Sequence, residues 1–151
     1  MPYAPSAAIR LGATDMDQMT ARLQPYALSL MRFVIGLVLF AYGVAKIFKY
    51  PPIDYFANLT PLLTASGFIE LVIGALLTIG LFTRLTAFIL SGEMAFAFFL
   101  GHVYENPVPV WNPILNNGTP PIVLCFACLY LATAGGGPLS IDAARSRRAR
   151  S

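Results

Sequence analysis

Long apolar stretches alternate with short polar or proline-rich connections along this chain. Between Phe33 and Leu139 the only formal charges are Lys46, Lys49, Asp54, Glu70, Arg84, Glu93 and Glu105. Four apolar segments result: residues 26–49, 61–83, 85–104 and 121–134 with its flanks. A hydrocarbon core of roughly 30 Å takes about 20 helical residues to cross. The first three segments meet that length, and the fourth needs Thr119 and Pro120 or the following glycine run. Pro61 suits a helix start, where its missing N–H costs nothing, and Gly135, Gly136, Gly137 and Pro138 form a stop. The period-two alternation of a porin-like barrel is absent. The pattern predicts an all-α polytopic membrane protein, a compact four-helix transmembrane bundle. Residues 1–25 form an N-terminal segment, 26–137 the transmembrane domain and 138–151 a basic tail.

Composition explains why lipid is the solvent. Of 151 residues, 57% are hydrophobic and 11% charged, with mean hydropathy +0.68, whereas soluble domains carry about 25% charged residues. With four spans, both termini and the 82–84 turn share one side. Arg10, Arg22, Arg32, Arg84, Arg145, Arg147, Arg148 and Arg150 lie there, against Lys46 and Lys49 on the other. The positive-inside rule places that side in the cytoplasm. The first apolar run starts only after Tyr26 and lacks a small-residue cleavage site, so it reads as a retained helix. The tail "ARSRRARS" reads as topology control and contact with anionic lipid. No aromatic or glycine-rich module accompanies it, so nucleic acid is not an expected partner.

Small residues supply packing faces in lipid. Gly36 and Gly43 are seven apart on the first span, Gly67 and Gly74 seven apart on the second, and Ala87, Ser91 and Ala95 form a ladder on the third. The third span also carries "SGEMAFAFFLGH", with a central glutamate and the chain's single histidine. Glu93 and His102 are nine residues apart, which separates them by about 180° and roughly 13 Å on an ideal helix. A direct dyad or shared metal is therefore not expected. Counting rise from Arg32 and Arg84 puts Lys46 and Glu70 roughly 21 Å up, Glu93 roughly 13 Å up beside Tyr42, and His102 near the outer edge.

Intramembrane ionisable groups face a bundle interior or polar cavity. Glu93, Glu70 and His102 are thus the candidate catalytic groups, and Tyr42, Lys46 and Arg84 the candidate ligand-binding ones. The two carboxylates, at different heights and flanked by Tyr42, Lys46 and His102, would line a pocket open to the outer half of the membrane, suited to a flat oxygen-bearing molecule such as a quinone. The residues leave other readings open: a neutral structural hydrogen bond for Glu93, an internal Lys46–Glu70 pair, a polar anchor for His102, and headgroup-snorkelling edge anchors for Arg32 and Arg84. One histidine and two cysteines do not make a metal site. Cys125 and Cys128 in "CFAC" share a helix face and read as core packing, with redox exchange the lesser alternative. The proline-rich segment after Tyr104, with Trp111, reads as an ordered interfacial cap.

The run "GFIELVIGALLTIGLFTRLTAFILSGEMAFAFFLGH" resembles the central signature of the DoxX family of small bacterial membrane proteins. It carries Glu70, Gly74, Gly80, Thr83, Arg84, Ala87, Met94, Ala97 and His102 in place. "LMRFVIGLVLFAYGVAKIF" resembles the family's first span. Gly135, Gly137, Ser140 and Asp142 are similar to its closing motif. The resemblance implies a four-helix protein of the bacterial cytoplasmic (inner) membrane associated with oxidoreductases. The family takes its name from a thiosulfate:quinone oxidoreductase subunit, and other members are tied to quinone or catechol tolerance and to membrane complexes countering oxidative stress. A glutamate often follows the Asn-Gly turn in the family, where Thr119, Pro120 and Pro121 stand here. The sequence has no recognisable flavin, haem or iron–sulfur motif, so electrons would come from a partner or a bound small molecule. The expected function is a membrane component of an oxidoreductase system, with no intrinsic cofactor. It would handle a bound quinone-like molecule or anchor a soluble or membrane redox enzyme, and a homo-oligomer is compatible. A noncatalytic scaffold or assembly factor is the alternative, and a small-solute transporter the third reading.

Overall fold

The computed structural model describes residues 7–105 and 107–149, with side chains from Asp15 onward. Arg10 and Arg150, counted above for orientation, lie outside the described side chains. Helix α1 (Ala7–Phe48) leads into a short 3₁₀ turn (Asp54–Phe56) and then α2 (Pro61–Ile79). Helix α3 (Thr83–Phe98) continues as a π-helical turn (Phe99–Val103) and is followed by α4 (Thr119–Ala134) and α5 (Ile141–Arg148). The described part of α1, α2, and α3 with its π turn are each long and apolar enough to cross a membrane. At 16 residues, α4 spans only about 24 Å. The fold is all-α and the protein crosses the membrane more than once.

Helix α1 starts well before residue 26, continuing through Pro25 without ending, so the first apolar segment is the later part of a longer helix. The second ends at Ile79 rather than Thr83, since Gly80 takes the left-handed conformation (φ 71°) and closes the helix, with Leu81 N–H donating to Leu76 O at 3.0 Å. The fourth begins at Thr119, as its apolar length requires. Helix α1 lies along α2, α3 along α4, and α2 joins the two pairs. Ile35, Leu39, Leu77, Ala87, Leu90, Met94, Cys128 and Leu131 form the core between them. Leu37, Phe68, Phe88, Phe96 and Phe126 point outward, a surface that suits lipid and would be untenable in water.

Glycine makes the α1–α2 approach possible. A methyl group at Gly43 would stand 2.3 Å from Leu71 N, one at Gly36 2.5 Å from Thr78 N, and one at Gly74 2.7 Å from Phe40 N. Gly36, Gly43 and Gly74 therefore face the other helix's backbone and Gly67 faces the Lys46 and Ile47 side chains, so both seven-residue pairs lie on the α1–α2 seam. On α3, Ala87 and Ser91 are buried as expected, and the Ser91 hydroxyl donates to Cys125 O of α4 at 2.9 Å. Cys128 is fully buried in the core and both cysteines are free thiols.

At the end where α2, α3 and α4 turn, charged side chains finish the helix termini. Arg32, expected to snorkel toward headgroups, instead lies buried and faces inward. It donates to Leu77 O and Leu139 O at 2.8 Å each, to Gly136 O at 3.0 Å and to Thr78 O. The last carbonyls of α2 lack intrahelical partners and their dipole favours a cation. That demand turns the arginine inward. Arg84, exposed, serves α4 similarly, donating to Ala132 O at 3.2 Å and to Thr133 O. The converse holds at the start of α3, where Phe82 offers no side-chain cap. The Asp142 carboxylate, from α5, accepts from Phe82 N–H at 2.9 Å and Thr83 N–H at 2.8 Å. Ser140 caps α5 itself, accepting from Ala143 N–H at 3.1 Å.

Partial burial pushes the Asp142 carboxyl upward, but the amide donors of Thr83 and Phe82, with the Thr83 side chain and Arg145, outweigh it and hold its pKa below the ordinary value. A carboxylate with a depressed folded-state pKa adds stability above its unfolded-state value, and that stability fades as pH falls through the folded one. Below about pH 4, the unfolding midpoint of detergent-solubilised protein should therefore fall more steeply for the unmodified chain than for Asp142→Asn. Asp142→Ala should cost about 1 kcal/mol at neutral pH through the lost cap. Gly43→Ala should separate α1 from α2 and cost about 1–3 kcal/mol in the same measurement. Gly92→Ala, which meets nothing within 4 Å, should leave stability unchanged or slightly raised.

Candidate functional site

Three helices bring four polar side chains together in the membrane interior. Helix α2 ends at Ile79 and α3 starts at Thr83, so residues 80–82 contribute no helical rise. Glu70 lies nine residues before the end of α2 and Glu93 ten residues after the start of α3. Both stand roughly 14–15 Å above the turn. The different depths expected from sequence came from counting the turn as helix, and the two carboxyls share one level. Lys46 of α1 reaches them from the facing glycine seam, where its Cβ lies against Gly67.

The contacts run as a chain. Lys46 Nζ is 2.7 Å from Glu70 Oε2, an ion pair by distance whose angle falls outside hydrogen-bond geometry. The same ammonium donates to Ser66 Oγ at 2.9 Å, and the Ser66 hydroxyl donates to Glu93 Oε1 at 2.7 Å. Glu70 and Lys46 are 2% and 7% exposed, so the pair is shielded from bulk solvent. Glu93 Oε2 is buried with no hydrogen-bond partner among the described residues. Beyond Lys46, the buried Phe56 ring lies 5.8 Å from the ammonium and edge-on to Tyr42 at 6.5 Å. Lys49 Nζ donates to Phe56 O and so holds the 3₁₀ turn that carries this ring.

Of the six residues singled out in the sequence, Lys46, Glu70 and Glu93 meet. Tyr42 is a half-exposed neighbour of Phe56, and the partner of Glu93 is Ser66. Arg84 sits at the other end of the bundle on the α4 terminus. His102 lies on the π turn that ends α3 and reaches the connection before α4. Its Nδ1 is 2.9 Å from Asn116 O, and a carbonyl only accepts, so that nitrogen carries the proton. Asn116 in turn donates to Val110 O at 2.7 Å and accepts from Gly118 N–H at 2.8 Å. The histidine thus pins the loop, and its separation from Glu93 holds. Sequence reasoning missed Ser66 and Phe56. Ser66 was detectable, because it lies four residues before Glu70 on the same helix face. Phe56 was not, since its place depends on the irregular α1–α2 connection. A cavity of about 500 Å³ opens at the opposite end, bordered by Thr83, Arg84, Gly136, Asp142 and Ser146.

The arrangement covers the part of the chain matched by the DoxX family profile, residues 27–103. The chain belongs to the DoxX family. It is also 36% identical over 124 residues to an uncharacterized protein of Haemophilus influenzae, a match covering 80% of this chain and 92% of that relative. No solved structure matches. Every member of the polar chain in this DoxX protein lies within the matched residues, whereas α4 and α5, with Asp142, lie beyond them.

Removing one partner of a buried ion pair leaves an uncompensated charge, at a cost of about 3–5 kcal/mol, while replacing both with apolar groups is often neutral. Lys46→Met should therefore lower the unfolding midpoint sharply. Lys46→Met combined with Glu70→Leu should recover most of the loss, as measured by thermal unfolding in one detergent.

Proposed function

We propose that this DoxX protein is a membrane component of a redox system, and that its Lys46–Ser66–Glu70–Glu93 cluster exchanges a proton with a quinone-like molecule. The observation that carries the reading is the buried Glu93 Oε2, which has no hydrogen-bond partner among the described residues while Glu93 Oε1 is held by Ser66. Charge supports the same role. One ammonium faces two carboxyls, so the cluster is neutral only when one carboxyl holds a proton, and intramembrane sites favour neutrality. A protonated Glu93 donates at its open oxygen to a carbonyl acceptor; an ionised one accepts from a hydroxyl. These are the two ends of a quinone's reduction, in which two electrons and two protons are taken up. Electrons come from a partner redox enzyme, in keeping with the oxidoreductase association that family resemblance implies.

In this reading all four apolar helices cross the bacterial cytoplasmic membrane, with α4 supplemented by its flanks. The ends of the chain face the cytoplasm, supported by the arginines at the turn-bearing end and in α5. A partner enzyme would meet the protein there.

The test is quinone retention. Protein extracted gently from membranes and analysed by mass spectrometry is expected to carry a quinone. Glu93→Gln should weaken retention about tenfold, the scale of one hydrogen bond to a charged group, with the unfolding midpoint little changed. Retention equal to the unmodified protein rejects Glu93 as the contact. A stoichiometric enzyme brought down by a chain that binds no small molecule selects the scaffold reading instead.

A further inference from the structure

The cavity of about 500 Å³ at the turn-bearing end of the bundle takes no part in the proton chemistry of the interior cluster. It lies where the start of α3, the end of α4 and the start of α5 meet. Arg84 borders it and spends only Nη1 on α4, at Ala132 O and Thr133 O. Its Nε and Nη2 have no acceptor among the described residues. Nη2 lies 3.6 Å from where a Cβ on Gly135 would stand. These two nitrogens form the guanidinium edge that holds two oxygens of one oxyanion side by side.

Residues 135–137 bring bare backbone to the same cavity. Gly135 and Gly137 take positive φ (88° and 72°), and a Cβ on Gly136 would stand 2.6 Å from Thr83 Oγ1. A helix stop needs one such glycine; three in a row leave the main chain open to close approach. The N–H groups of Gly136 and Gly137 have no acceptor among the described residues. Arg32 draws Gly136 O inward, and the trans peptide turns Gly137 N–H the opposite way. Thr83, 1% exposed, directs its hydroxyl at this glycine run. Asp142 is near that hydroxyl, but no partner stands in hydrogen-bond geometry to it.

We propose that this cavity binds a phosphate group, with the Nε and Nη2 edge of Arg84 taking two oxygens and the Gly136 and Gly137 amides a third. An arginine fork and successive main-chain amides are recurrent means of holding phosphate without a metal. Asp142 is the one acid among the lining residues, and its oxygens already accept from Phe82 and Thr83 N–H. Arg145, 5.7 Å over the Phe82 ring, brings a second cation beside the cavity. The phosphate belongs either to a free ion or small ester or to a lipid headgroup, and the chemistry of recognition is the same for both.

Titration of full-length, detergent-solubilised protein at constant ionic strength tests this, with inorganic phosphate in one arm and short-chain phosphatidylglycerol in the other. A ligand that binds the folded state raises the unfolding midpoint in a saturable way. Saturation with inorganic phosphate assigns a free ion or ester; saturation with phosphatidylglycerol alone assigns a headgroup. Arg84→Lys keeps the charge and loses the fork, and should weaken binding about tenfold while leaving the midpoint without probe nearly unchanged. Ser146 lines the cavity and Ala144 does not, and both are exposed on α5. Ser146→Glu should therefore weaken binding at least as much, and Ala144→Glu, with the same change of charge, should not. No saturable rise with either probe overturns the proposal, as does unchanged affinity in Arg84→Lys. Equal losses in Ser146→Glu and Ala144→Glu also overturn it, because they indicate diffuse attraction to the basic helix.

Discussion

A helix that ends in or near lipid leaves carbonyls and amides that water does not reach, and the whole architecture depends on how this chain satisfies them. Arg32 is the central answer. One guanidinium, placed past the middle of α1, binds the last carbonyls of α2 and the connection after α4. It thereby fixes how far α1 and α2 slide past each other, and the glycine seam fixes how closely they lie. Arg84 and Asp142 extend the logic to the end of α4 and the start of α3. In each case the sign of the side chain matches the dipole it meets.

The same scarcity of water governs the interior cluster. A lysine and two glutamates are costly to hold in a membrane, and a bundle of this size could pack with apolar residues instead. Lys46 and Glu93 meet at Ser66, and Glu70 meets Lys46, which ties α1, α2 and α3 at one depth. A structural seam alone would satisfy both oxygens of each carboxyl. Glu93 Oε2 is left over, and the proposed chemistry rests on that surplus.

Much of this was legible in the sequence because lipid imposes simple rules. Span length, small-residue spacing and the inward pull on Glu70, Glu93 and Lys46 follow from apolar runs and helical phase. The Lys46–Glu70 pair was one of the readings the sequence left open, because each needs an opposite charge inside the bundle. What escaped was whatever depended on the ends of helices. Arg32 was read as an edge residue because sequence does not show that carbonyls of α2 and the α4–α5 connection converge on it. Glu70 was placed too high because the 80–82 turn looked like continuous helix, although Gly80 marked the break. His102 needed the fold of the 104–118 connection, where Asn116 supplies its partner. The basic tail concealed a helix whose acid caps another helix.

That last feature bears on how the molecule is made. Asp142 follows α4 in the sequence, yet it completes the start of α3. During synthesis α1, α2 and α3 enter the membrane with this terminus uncapped, and Arg32 lacks two of its acceptors until Gly136 and Leu139 arrive. The bundle is thus latched by residues that follow its last apolar helix. A ribosome that stops early leaves an unlatched intermediate whose exposed amides and unpaired guanidinium distinguish it from finished protein, giving membrane quality-control proteases a physical basis for discrimination.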